Sequence, residues 1–185
     1  MVRGFFNMIF MSAIAFIAAL LLYPLTHELG HALAALLLGG KPCAIELLPL
    51  PSIVCEASGV SNTGLIIVGL SGLIFPALIA IPLRRCGFFL WYTSFIMRGI
   101  VMLSMAVSAV TAFLYCADMP LPEDDITGVL ELWQGGELWL IPSFLIVMAL
   151  LLIQLAGEKP LHKIIQSLSM HNTGISTQNK QANQI

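Results

Sequence analysis

The chain has 185 residues, of which 58% are hydrophobic and only 10% charged, with a mean hydropathy of +0.94 and a formal net charge of -2. Ordinary soluble domains carry about 25% charged residues, so the composition excludes a soluble globule, and its near-neutral balance excludes a nucleic-acid partner. It predicts one compact all-α domain set in a lipid bilayer.

The first apolar run extends from Phe5 to Leu38. Arg3 followed by Ala13, Ala15, Ala18 and Ala19 looks at first like a secretory leader. Cleavage there would leave His27 beside a new N-terminus with no polar mature region behind it, so an uncleaved membrane helix is expected. Fully helical, the run would be about 51 Å long, too long for one hydrocarbon core of about 30 Å and too short for two crossings with a turn. Pro24 should kink or interrupt it. The run is therefore either one long, tilted, kinked helix or a span followed by a short second helix. Gly39 and Gly40 end it.

Within this run, residues 27–31 read His-Glu-Leu-Gly-His. Helix positions i and i+4 share a face, so His27 and His31 project side by side and their imidazoles can hold one zinc ion. Glu28 lies elsewhere on the turn. This is the H-E-x-x-H arrangement of zinc hydrolases, in which the metal acidifies water and a carboxylate accepts its proton during attack on a carbonyl. A purely structural role for the two histidines is the competing reading. Three ionisable groups in an otherwise apolar membrane segment argue for function, because polar groups at that depth are costly.

Lys41 to Asn62 is the most strand-like stretch. Cys43-Ala-Ile-Glu-Leu-Leu and Ser52-Ile-Val-Cys-Glu-Ala are separated by Pro49-Leu-Pro51, which predicts a short β-hairpin or re-entrant loop after the first helix. A plain interfacial loop is the alternative. An exposed strand edge there would suit an extended peptide. Cys43 and Cys55 would pair only in an oxidising compartment, and free thiols are expected. With Cys86 and Cys116 they show no C-x-x-C spacing, so neither a zinc knuckle nor a redox pair is expected.

Thr63 to Leu83 reads as the second span. Gly64, Gly69, Ser71 and Gly72 give it a small-residue face for close helix packing, and Pro76 lies within it. Gly87 to Ala117 is the third span, with Arg98 in mid-run. An intramembrane arginine must face protein or water. An ion pair or a carbonyl contact is expected for it, with a substrate or oxyanion contact as the lesser reading.

Asp118 to Glu137 is a polar loop containing Asp118, Glu123, Asp124, Asp125, Glu131 and Glu137 and no Lys or Arg. A short helix through Ile126, Val129 and Leu130 should open at Asp124 or Asp125. One member of that pair is the expected third zinc ligand, since a catalytic zinc takes three protein ligands; capping and solvation alone are the alternative. Leu138 to Ala156 is the last span, with Trp133 and Trp139 as interfacial anchors. The domain plan is thus a membrane domain over residues 1–156 and a polar tail over residues 157–185. In the tail, Leu161, Ile164, Ile165 and Leu168 suit a short interfacial helix, and the Ser/Thr/Asn/Gln-rich end is expected to be disordered, with His162 and His171 solvated.

Four spans with the N-terminus inside put Arg3, Arg84, Arg85, Lys159, Lys163 and Lys180 on the inner side and Lys41 alone on the outer side. The positive-inside rule favours that orientation. It places the His27–His31 segment and the Asp124–Asp125 pair on the same, outer side.

The run His27-Glu-Leu-Gly-His31-Ala-Leu-Ala-Ala-Leu-Leu-Leu-Gly-Gly40 resembles the site-2 protease group of intramembrane zinc metalloproteases, the M50 peptidases, and most of all their small M50B-like members. The resemblance implies a zinc enzyme that cleaves membrane-protein substrates in or near their transmembrane segments. It implies that His27 and His31 bind zinc, that Glu28 is the general base or acid, and that a later aspartate, best matched by Asp125 and next by Asp124, is the third ligand. The glycine-rich second span around Gly69-Leu-Ser-Gly72 is also similar to the family. The chain departs from it in lacking N-x-x-P-x-x-x-L-D-G; Pro-Glu-Asp-Asp-Ile-Thr-Gly is similar only to a looser counterpart. PDZ-like and CBS-like segments are absent as well. Members of the group commonly face the cytosol, against the orientation that the charges favour. The rival functions are a non-catalytic scaffold or assembly factor with a structural metal site, and, last, a metal-handling transporter. Oligomeric state is not legible.

Overall fold

The computed structural model describes residues 2–46, 52–56, 58–119, 124–160 and 165. In chain order these form α1 (Val2–Leu37), β1 (Lys41–Glu46), β2 (Ser52–Glu56), α2 (Asn62–Leu83), α3 (Phe88–Cys116), α4 (Asp125–Leu132) and α5 (Glu137–Gly157). The Met8–Leu37 part of α1 and the whole of α2, α3 and α5 are long and apolar enough to cross a bilayer. The protein is a multi-pass integral membrane protein.

Of the two readings of the first run, the structure has the single continuous helix, with Pro24 inside it. Proline removes one backbone donor. The Thr26 hydroxyl donates to the neighbouring carbonyls of Leu22 (2.7 Å) and Tyr23 (3.0 Å), so the turn around Pro24 gains side-chain hydrogen bonds where it has lost a backbone one. The helix stops at Gly39, whose φ of 92° lies in the left-handed region. Gly40 N–H donates to Ala35 O and Gly39 N–H to Leu36 O, the paired bonds of a Schellman stop.

β1 and β2 pair antiparallel from Lys41↔Glu56 to Glu46↔Ser52, with an irregularity between Pro42 and Ala44. Their connection, and the side chains of Cys43 and Cys55 on which the disulfide question turns, lie outside the described residues. The expected interfacial helix around Leu161–Leu168 and the polar end, with His162 and His171, also lie outside them apart from Ile165.

α1 packs on α2 and α3, α5 packs on α3, and α4 is wedged against α2 and α3. The main core joins Leu73 of α2, Val101 and Met105 of α3, Ile126, Val129 and Leu130 of α4, and Leu140 and Phe144 of α5. α1 buries mainly small residues, among them Ala15, Ala19, Ala32 and Ala35, and turns Phe6, Phe10, Phe16, Ile17 and Leu21 outward. In a bilayer those outward side chains meet lipid, and close backbone approach, rather than burial of large apolar groups, holds such helices together.

Arg98 is fully buried. Its Nη1 donates to Glu158 Oε1 (2.5 Å), its Nη2 to Glu158 Oε2 (3.0 Å), and its Nε to Ser94 O (3.3 Å). Trp91 Nε1 also donates to Glu158 Oε2 (2.7 Å). The arginine therefore ties the end of α5 to α3 and does not line the cleft described below. Arg98→Met is expected to leave a buried, uncompensated carboxylate at a cost of about 3–5 kcal/mol. A large fall in thermal unfolding temperature in detergent checks this; an unchanged value would show that the pair is replaceable.

Candidate metal centre

The i, i+4 spacing places His27 and His31 on one face of α1, with ring centroids 4.7 Å apart and planes at 83°. Their Nε2 atoms are 3.2 Å apart. Asp125 Oδ2 completes a triangle, 2.9 Å from His27 Nε2 and 3.1 Å from His31 Nε2. The histidine side chains are 19% and 13% exposed and that of Asp125 is 45% exposed.

The adjacent acids of α4 have divided roles. Asp124 is the N-cap: its Oδ1 accepts from Thr127 N (2.8 Å) and Thr127 Oγ1 (2.9 Å), and its Oδ2 accepts from Thr111 Oγ1 (3.2 Å). Both carboxylate oxygens of Asp124 are thus engaged in capping its own helix and in the contact with Thr111. Asp125 then falls on the first helical residue and projects from the turn toward the histidines. Of the two residues that the spacing left open, the structure brings Asp125 to the cluster.

Close packing of α2 aligns the triangle. His31 Nδ1 lies 2.7 Å from Val68 O. A carbonyl only accepts, so Nδ1 is the protonated nitrogen and the lone pair is on Nε2, facing the cluster. Ser71 Oγ also donates to Val68 O (2.5 Å). A Cβ at Gly72 would overlap His31 Nε2 and come within 2.8 Å of His27 Cε1, and one at Gly30 would come within 2.6 Å of Ser71 O. Similarly, α4 sits on α2 at Gly69, where a Cβ would overlap Val129 Cγ2. The small face of the second span is thus what admits both the histidine rings and α4. Gly72→Ala is expected to displace the ring nitrogens and weaken metal binding at least 10–100-fold, the usual cost of disturbing a ligand's support. Competition with a zinc-sensitive dye measures it.

The imidazole of His27 first, and then that of His31, hold Asp125 well below the usual carboxylate range, against the opposing effect of burial. It is anionic at neutral pH. The cluster therefore sets a carboxylate oxygen and the His31 lone pair against the His27 Nε2 at 2.9–3.2 Å. Electron pairs converge this way around a cation. Ligand atoms about 2.0–2.1 Å from a tetrahedral zinc lie about 3.3 Å from one another, close to the observed separations, and two imidazoles with one carboxylate form a zinc donor set. The residues fit the metal. Among the described residues the group contains three donors, His27, His31 and Asp125. Glu28 is half-buried on the same turn and is not one of them. His27 Nδ1 is buried without a hydrogen-bond partner among the described residues.

Beside the triangle is a cleft of about 230 Å³, bounded by His27, Leu73, Ser104, Ser108, Asp124 and Asp125 among others. Its α3 wall went unmarked in the sequence reading. Ser104, Ser108 and Thr111, at positions i, i+4 and i+7 of an apolar helix, were the available signal.

The family model described as Peptidase M50B-like matches residues 5–153. No curated protein and no solved structure matches the chain.

Proposed function

Because the chain belongs to the Peptidase M50B-like family, we propose that it is an intramembrane zinc metalloprotease that hydrolyses peptide bonds in or near transmembrane segments of other membrane proteins. The observation that carries this reading is the three-donor cluster of His27, His31 and Asp125 opening on a cleft. A structural zinc is closed by four protein ligands, whereas a catalytic one keeps a position for water or substrate. The location supports it as well. His27 lies ten residues before the last residue of α1, about 15 Å along the helix axis, so a target bond would have to be presented below the membrane surface.

In this reading His27 Nε2, His31 Nε2 and Asp125 Oδ2 hold the metal. When bound there, zinc supplies Lewis-acid chemistry, acidifying water and polarising a carbonyl. Glu28 takes one proton from the attacking water as the new C–O bond forms, and returns it to the amide nitrogen as the C–N bond breaks. Val68 O keeps the His31 tautomer correct throughout. Asp124 keeps α4, and with it Asp125, in register. A substrate helix hides its carbonyls in its own hydrogen bonds, so segments with Gly, Pro or Asn, which unwind more easily, should be preferred.

The test uses purified protein in lipid vesicles with a quenched-fluorescent transmembrane peptide carrying a central Gly-Pro. About one zinc per chain is expected, with cleavage that stops on adding phenanthroline and returns with zinc. No bound zinc after reconstitution with added metal would overturn the reading. Bound zinc that Glu28 does not use would favour the scaffold instead.

A further inference from the structure

The α3 wall of the cleft has hydroxyls that the fold does not consume. Tyr23 is one turn before His27 on α1, and its ring is 6.0 Å from that of His27. Its OH donates to Ser104 Oγ at 2.6 Å. A serine hydroxyl has one hydrogen and two lone pairs. With a lone pair of Ser104 taken by Tyr23, its own hydrogen has no acceptor among the described residues. A serine or threonine inside a helix can donate to the carbonyl one turn back; Thr93, earlier on α3, does so, to Phe89 O. Ser104 does not. Ser108, the next residue on the same face, is buried and has no hydrogen bond among the described residues. Both hydroxyls line the cleft together with His27 and Asp125.

We infer that Ser104 and Ser108 are the donor pair for the substrate's scissile carbonyl oxygen, and that Tyr23 is the positioning residue that aims Ser104 into the cleft. This rests on the protease reading above and deepens it. Two hydroxyls one turn apart on the wall of the cleft, beside the metal ligands and with hydrogens uncommitted among the described residues, form a place for an oxygen that becomes more negative during attack. Both serines keep their protons; they contribute hydrogen bonds, which strengthen as charge develops on that oxygen. Tyr23 holds Ser104 in the rotamer whose hydrogen faces the cleft. No charged donor is required, which agrees with Arg98 being fully engaged elsewhere.

The probe is a hydrophobic peptide hydroxamate, whose carbonyl-like oxygen would occupy the position of the scissile one. Its affinity is measured on the zinc-loaded protein, beside zinc content and peptide cleavage. Ser104→Ala and Ser108→Ala are each expected to weaken the hydroxamate about 10-fold or more and to lower kcat about 10²-fold, with KM and zinc content unchanged. Ser104→Thr should keep most of the affinity. Tyr23→Phe should weaken binding in the wild-type background and add nothing in the Ser104→Ala background, a result that a merely structural tyrosine would not produce. Wild-type affinity and kcat in both serine variants would overturn the donor pair and leave the protease reading standing. A wild-type protein that binds neither zinc nor hydroxamate would overturn the protease reading and the donor pair with it.

Discussion

Asp125→Ala is expected to strip the purified protein of its zinc and to abolish cleavage, while Asp124→Ala keeps both and loses about 1 kcal/mol of stability. The two residues are neighbours of like charge, and composition does not separate them. Their bonding does. Asp124 spends both carboxylate oxygens on Thr127 and Thr111, and replacing such a cap costs about 0.5–2 kcal/mol. Asp125 meets His27 and His31 at 2.9 and 3.1 Å. Without it two imidazoles remain, and loss of one of three ligands should lower zinc affinity beyond stoichiometric retention through purification. Zinc analysis of both variants beside wild type checks this. Retention of a full equivalent by Asp125→Ala would move the third ligand elsewhere.

The second large effect concerns Glu28. Glu28→Gln is expected to bind zinc at the wild-type stoichiometry and to cleave the model peptide 10²–10⁴-fold more slowly, the range for loss of a general acid–base group. The amide keeps the shape of the carboxylate but can neither accept the water's proton nor return one to the leaving nitrogen. Because Glu28 is not among the three converging donors, zinc content and rate should separate, and that separation is the diagnostic result. An undiminished rate would remove Glu28 from the chemistry and favour a non-catalytic metal site.

Much of this was legible from local pattern. The four long apolar runs, the helix stop at Gly39–Gly40 and the short helix after Asp124 follow from hydropathy, glycine conformation and capping chemistry, all of which act over a few residues. The pairing of His27 with His31 follows from helix geometry alone. Arg98 could be read as needing a partner, because a buried guanidinium cannot be left bare. Which partner it finds could not be read, since Glu158 is 60 residues away and falls in the stretch read as the polar tail.

What the sequence by itself determined, then, is the membrane class, the number of spans, and one zinc-compatible face on the first helix. Those depend on transfer energies and on periodicities of a single helix. Only the tertiary structure decided that Asp125 rather than Asp124 meets the histidines, that α1 passes through Pro24 unbroken, and that Ser104 and Ser108 face the cleft. The first and the last depend on how closely separate helices approach, whereas the second goes with the Thr26 hydroxyl bonding back to Leu22 O and Tyr23 O around Pro24. That approach is set by where Gly30, Gly69 and Gly72 let backbones and rings come together, and packing of that kind joins residues about 40 to 100 positions apart.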